Sequence, residues 1–267
     1  MTSDSSLPLP TPNDSETISE EKTNWQVRLK TEEGILQVVL PTEAETPGGM
    51  SWTDFWEQLK HRLNGNDRFF SPQMSVHLMA QDRLLDTRQL QAIADALTEA
   101  KLQLKRVYTN RRQTAVAAAT AGHSVEQQAA FSSLVAPLAN KPVQALSEPL
   151  YLQMTVRSGV EIRHPGTVVI LGDVNPGGIV VAVGDIFVWW RLRGIAHAGA
   201  EGNTECRIMA LQMEPTQLRI ADQMARAPEN PPPEFYPEVA HVTPEGIRLT
   251  KAADFSRINL GKIQDKG

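Results

Sequence analysis

Residues 168–200 read VVILGDVNPGGIVVAVGDIFVWWRLRGIAHAGA, and this stretch decides the fold. It repeats a small unit. Val168–Leu171 is followed by Gly172-Asp173-Val174, and Ile179–Val183 by Gly184-Asp185-Ile186. Short β-branched runs alternate with Gly-Asp or Pro-Gly-Gly corners. Such runs pack as strands, and Gly-Asp corners roughly twelve residues apart make two sides of a triangular rung whose full turn takes roughly 18 residues. The expectation is a parallel coil in which each rung buries its apolar side on the next.

Helical periodicity is absent from Tyr151 to Ile220. Further strands are expected at Cys206–Met213 and Gln217–Ile220, and a closing hairpin over Glu238–Leu249 turned by Pro244-Glu245-Gly246. Upstream, residues 123–149 are rich in Gln, Ala, Ser and Pro, the composition of a linker. Before them the periodicity changes. Trp25, Val27 and Leu29 alternate with Gln26, Arg28 and Lys30, and the Thr31–Gly34 turn joins that strand to Ile35–Leu40. Ser51-x-x-Asp54 opens a helix carrying Trp52, Phe55, Trp56, Leu59 and Leu63 on one stripe. Met74, Val76 and Leu78 form a strand. Asp86 or Thr87 caps a helix that buries Leu90, Ile93, Ala94 and Leu97. Leu102, Leu104 and Val107 form another strand, and the Ala115–Ala121 run a last helix. The order is ββαβαβα. The chain therefore divides into an acidic tail (1–23), an α/β domain (24–122), a linker (123–149), an all-β right-handed parallel β-helix (150–250) and a polar tail (251–267).

Composition narrows the function. The chain has 267 residues and a net charge of -5, whereas a dedicated nucleic-acid binder carries a basic footprint. Lys101, Lys105, Arg106, Arg111 and Arg112 cluster, but only Tyr108 lies among them to stack on a base, so a solvated face is expected. No apolar stretch approaches the ~20 residues that span a bilayer. The single cysteine, Cys206, suits a reducing cytosol and reads as a core residue. No pair of the six histidines has metal-ligand spacing, and no phosphate-binding loop is present. His164 and His197 have no acidic partner close in sequence. No catalytic, metal or cofactor residue is assigned.

The coil does, however, carry an unusual strand. In Ile186-Phe187-Val188-Trp189-Trp190, strand alternation sends Ile186, Val188 and Trp190 one way and Phe187 and Trp189 the other. A coil has one inside, so one set lies outside as aromatic surface. Burial against a second copy through a two-fold contact accounts for it. Asp173 and Asp185 read as turn formers that bond their own backbone.

Arg157-Ser158-Gly159 with Ile162, the two Gly-Asp corners, Leu192–Ala200 (LRGIAHAGA) and Pro233-Glu234-Phe235-Tyr236 together resemble the C-terminal domain of the bacterial septum-site-determining MinC family. The ββαβαβα order and polar linker are similar to the rest of that family. Two positions depart from its common pattern. Val160 stands where a Gln often follows Arg-Ser-Gly, and Ile195 stands where an Arg often follows Leu-Arg-Gly. The resemblance implies a cytoplasmic, non-enzymatic division inhibitor. Its C-terminal domain dimerises and binds the ATPase MinD, which supplies the only membrane contact, and its N-terminal domain antagonises FtsZ polymers. Carried to this chain, it implies Arg157, Ser158, Gly159 and Arg193 at the MinD site and Lys30, Thr31 and Gly34 at the FtsZ-facing surface. A bactofilin-like scaffold, also a short β-helix, is the alternative. The leading α/β domain argues against it.

Overall fold

The computed structural model describes residues 26–46, 51–65, 70–128, 146–226 and 236–255. The acidic N-terminal tail, the Pro228–Pro233 stretch, most of the expected linker and all but the first few residues of the polar C-terminal tail lie outside them.

The N-terminal half begins with a hairpin, β1 (Arg28–Glu32) and β2 (Ile35–Val39). Its turn is Glu33-Gly34 alone, at φ +50° and +79°. Two consecutive positive φ values make a turn whose twist matches that of the strands it joins. Thr31 therefore pairs within β1, opposite Leu36, and does not form part of the turn. Helix α1 (Trp52–Gly65) follows, then β3 (Ser75–Gln81), α2 (Thr87–Glu99), β4 (Gln103–Thr109) and α3 (Arg112–Thr120). At α1, Ser51 Oγ accepts the Asp54 amide at 3.1 Å, while the Asp54 carboxylate turns to the Ser51 hydroxyl. At α2 the reciprocal capping box is complete and is made by Asp86 with Gln89. A further strand, β5 (Ser124–Gln127), follows α3. β2, β3, β4 and β5 pair in parallel, in that order. One face of each strand is buried, with Leu36, Val38, Val76, Leu78, Val107 and Val125 all within 1% of full burial.

The C-terminal half is built from β6 (Ser147–Leu152), β7 (Glu161–His164), β8 (Gly166–Ile170), β9 (Ile179–Ala182), β10 (Ile186–Leu192), β11 (Ile195–Ala198), β12 (Ile208–Met213) and β13 (Gln217–Ile220). The even members β6, β8, β10 and β12 pair in parallel, and so do the odd members from β7 to β13. A third side is marked by parallel bridges joining Val156, Val174 and Leu192. Neighbours across the early rungs stand 18 residues apart, as Asp173 and Arg191 do. Apolar columns stack inside: Leu150, Val168, Ile186 and Ile208 on one side, and Ile162, Val180, Ala196 and Leu218 on another, all at most 2% exposed. At the corners the backbone of one rung crosses close to the next. A Cβ on Gly172 would strike the Met154 carbonyl, so only glycine fits there. The far end is closed by antiparallel strands: β14 (Gln223–Arg226) on β13, and β15 (Glu238–Thr243) with β16 (Gly246–Lys251) on β12.

Two sequence expectations change here. The stretch 123–149 is not linker throughout, because Ser124–Gln127 and Ser147–Leu152 are strands at its two ends. Moreover, β5 pairs with β7, Val125 opposite Ile162, so one ten-stranded sheet runs β1-β2-β3-β4-β5-β7-β9-β11-β13-β14 through both halves. Arg106 drives part of this junction. It leaves the expected solvated face and reaches Glu126 at 3.1 Å on β5 and Glu161 on β7. Arg111 pairs with Glu43 and Arg112 with Glu148, so the basic cluster is largely neutralised by ion pairs.

Candidate functional site

Two surfaces of the coil and one of the α/β half gather the candidate residues. The first lies on the outer face of the even strands. Tyr151, Val169, Phe187 and Met209 stand opposite one another in register across β6, β8, β10 and β12. β10 does not alternate as expected. Val188 lies opposite Ala210 and Arg191 opposite Gln212, so β10 spends three steps where β12 spends two. This is a β-bulge. It turns both Trp189 and Trp190 outward, 57% and 55% exposed, and returns Leu192 to the core at 0%. Trp190 therefore does not share the inner side with Ile186 and Val188. Leu211, 37% exposed, completes an apolar face with Tyr151.

The second surface is a corner repeated in three rungs. Arg157-Ser158-Gly159, Asn175-Pro176-Gly177 and Arg193-Gly194 lie above one another. The Gly159 amide donates to the Gly177 carbonyl at 2.9 Å, and the Arg193 amide to Val174 at 2.8 Å. Gly159 and Gly177 both adopt φ +81°, and a Cβ on Gly177 would meet Ser158 Oγ. A Cβ on Gly194 would meet the Gly178 carbonyl. Arg157, Ser158 and Gly159 are exposed. Arg193 is held by Asn175 Oδ1 at 2.6 Å and lies 3.6 Å from Asp173.

Asp173 and Asp185 do not bond their own turns. Asp173 accepts the Arg191 amide at 3.0 Å and Asp185 the Arg207 amide at 2.8 Å, each on the following rung. Although partial burial opposes it, bonding to the Arg191 backbone and guanidinium holds the Asp173 carboxyl below its usual range. The aspartates fasten rung to rung and fix Arg191 and Arg193. Val160, at a position where the family pattern differs, is 8% exposed and points into the core, while Ile195 is half-buried.

The remaining candidates are dispersed. Lys30, Thr31 and Gly34 lie exposed on β1 and its turn, at the opposite end of the ten-stranded sheet from β14. His164 meets Gln127 and the Glu148 carbonyl, and His197 the Ala221 carbonyl; neither touches a carboxylate. Cys206 is buried, its thiol pushed up to about 11 chiefly by burial, which leaves it unreactive as a nucleophile. Among the described residues no group of His, Cys, Asp and Glu is arranged to hold a metal ion. No described helix is long and apolar enough to cross a membrane.

The sequence reading missed Ser124, Arg106 and Glu161 at the junction. Their pairing follows from parallel strand neighbours far apart in the chain, which no local pattern signals.

A family model described as septum formation inhibitor MinC, C-terminal domain, matches residues 150–252. The probable septum site-determining protein MinC of Nostoc sp. is 61% identical over 91% of this chain and 66% of its own length, so the chain spans about two thirds of that relative. The corresponding protein of Thermosynechococcus vestitus is 50% identical over 79% of each chain. That of Synechocystis sp. is 47% identical over 84% of this chain and 92% of its own. Among solved structures, the MinC:MinD cell division protein complex of Aquifex aeolicus contains a chain 39% identical to this one. It covers 43% of this chain and 98% of that chain, with a TM-score of 0.38.

Proposed function

The chain belongs to the MinC family of septum site-determining proteins, regulators of cell division, and from that premise we propose that it is a septum inhibitor working as a two-ended adaptor. The 18-residue rungs support reading residues 150–250 as a right-handed parallel β-helix that dimerises and binds MinD. Residues 24–122 are the part that meets FtsZ polymers, through Lys30, Thr31 and Gly34. MinD supplies the membrane contact.

One observation carries the proposal. Tyr151, Trp189, Trp190 and Leu211 are exposed on one face beside the half-buried Phe187, an apolar patch of the kind that marks an interaction surface, and a second copy offers the same strands to cover it. The Arg157 and Arg193 corners lie on a different side of the coil, so a dimer keeps them free. Arginine suits such a site because its planar fork pairs a carboxylate bidentately. The antiparallel strands that close the far end leave no open rung for end-to-end stacking there, which weighs against a polymerising scaffold.

The test is ATP-dependent co-sedimentation of the full chain with MinD on vesicles of anionic phospholipid. Arg157→Glu is expected to abolish it while FtsZ pelleting in GTP remains lowered by the same variant. Lys30→Glu is expected to do the reverse. Unchanged MinD binding by Arg157→Glu removes the corner from the site.

A further inference from the structure

We propose that the α/β half pre-orders the Arg157-Ser158-Gly159 corner for MinD, with Ser124 as the positioning residue. The inference rests on the reading that this corner is the MinD site.

Corners of the second and third rungs are each held by the rung before. The Asn175 amide donates to Val156 and the Arg193 amide to Val174. The first rung has no earlier rung in the coil. The end unit of a stack needs a cap for this reason, and β5 supplies it. Val125 pairs with Ile162 and Glu126 with Arg163, as a preceding rung would. Ser124, 9% exposed, sits where the corner leads into β7. Its Oγ accepts the Glu161 amide at 3.0 Å and turns toward the Gly159 carbonyl at 3.5 Å. Gly159 is thereby held on one side by Ser124 and on the other by Gly177, to whose carbonyl its own amide donates.

The clasp extends beyond Ser124. Arg106 ties β4 to Glu126 and Glu161, Arg112 reaches Glu148 at 2.9 Å, and His164 lies between Gln127 and Glu148. Undocking β5 frees the Glu161 amide and releases Gly159 on one side. A corner ordered only part of the time binds a partner more weakly, in proportion to the fraction ordered. Linkage then makes the effect reciprocal: MinD on the corner stabilises the docked α/β half.

Three measurements on the full chain test this. Ser124→Ala is expected to raise the apparent Kd for MinD with ATP on anionic vesicles by about fivefold, and Ser124→Thr, which keeps the hydroxyl, to restore most of it. In the unsubstituted protein, MinD with ATP is expected to slow amide exchange in Val125–Gln127. A Glu126→Cys, Arg163→Cys pair, facing each other across β5 and β7, is expected when oxidised to bind MinD at least as tightly as when reduced. The buried, weakly acidic Cys206 does not compete for that disulfide. Unaltered affinity in Ser124→Ala, unaltered exchange in β5, or weaker binding on oxidation overturns the inference. Retained binding by Arg157→Glu overturns the underlying site. Loss of binding there, with Ser124→Ala neutral, overturns only the coupling.

Discussion

His164 shows how one side chain sets the conditions under which the two halves hold together. It is 3% exposed, and burial pushes its pKa down to about 4, with the nearby Arg112 adding to the effect against the Glu148 carbonyl. Nε2 lies 3.0 Å from that carbonyl oxygen. On the other side of the ring Nδ1 lies 3.1 Å from Gln127 Oε1. As pH falls below 6.5 the unfolded chain takes up this proton first, because the folded site resists it until about 4. The stabilisation is complete above pH 6.5 and is lost progressively down to pH 4, about 3 kcal/mol at 1.36 kcal/mol per unit. His77, His123 and His197 are also lowered, chiefly by burial, and act with the same sign. Urea unfolding between pH 7 and 4.5 should show this slope, and His164→Gln should flatten it. A slope unchanged in that variant would assign the acid sensitivity elsewhere. Gly172 offers a second residue-level prediction. With the Met154 carbonyl where a Cβ would sit, Gly172→Ala should cost about 1–3 kcal/mol, read as a lowered urea midpoint.

At the scale of the element, β10 carries the most consequence. Its bulge places two tryptophans outside in succession, and the regular alternation of its first half continues only at Leu192. Trp189→Glu and Trp190→Glu should each weaken the proposed dimer by at least about thirtyfold, the loss of one buried aromatic anchor, in sedimentation equilibrium. A dimer that survives both substitutions would move the interface off this face. The same strand shows what the sequence discloses and what it withholds. The apolar run and its corners are local, so the strand is legible. The bulge depends on which residue of β12 lies opposite, and that neighbour stands 22 residues further on. Likewise α2 is legible from its stripe and from Asp86, whereas β7 (EIRH) and β14 (QMAR) carry no apolar alternation and are strands only because a neighbour pairs with them. Arg157-Ser158-Gly159 was legible as a motif. Its dependence on Ser124 was not, because 35 residues separate Gly159 from the hydroxyl beside it.

For the whole molecule, the ten-stranded sheet replaces the picture of two independent bodies on a tether. Buried side chains run without a break from Leu36 through Val125 and Ile162 to Ile220. Calorimetry should therefore record one cooperative transition, and Arg106→Ala, which breaks the tie from β4 to both β5 and β7, should split or broaden it. Two well-separated transitions in the unsubstituted protein would show that the halves unfold independently. One edge of this sheet is β1, four strand spacings or about 19 Å beyond β5. In the proposed two-fold dimer through the Trp189 and Trp190 face, with β1 as the proposed filament contact, the two β1 edges are then jaws of a caliper rather than hands on strings. A filament repeats its subunits at a set interval, and a caliper grips two of them only when its opening matches that interval. Where it matches, the second grip follows at high effective concentration. Where it does not, a single jaw is left to hold on alone.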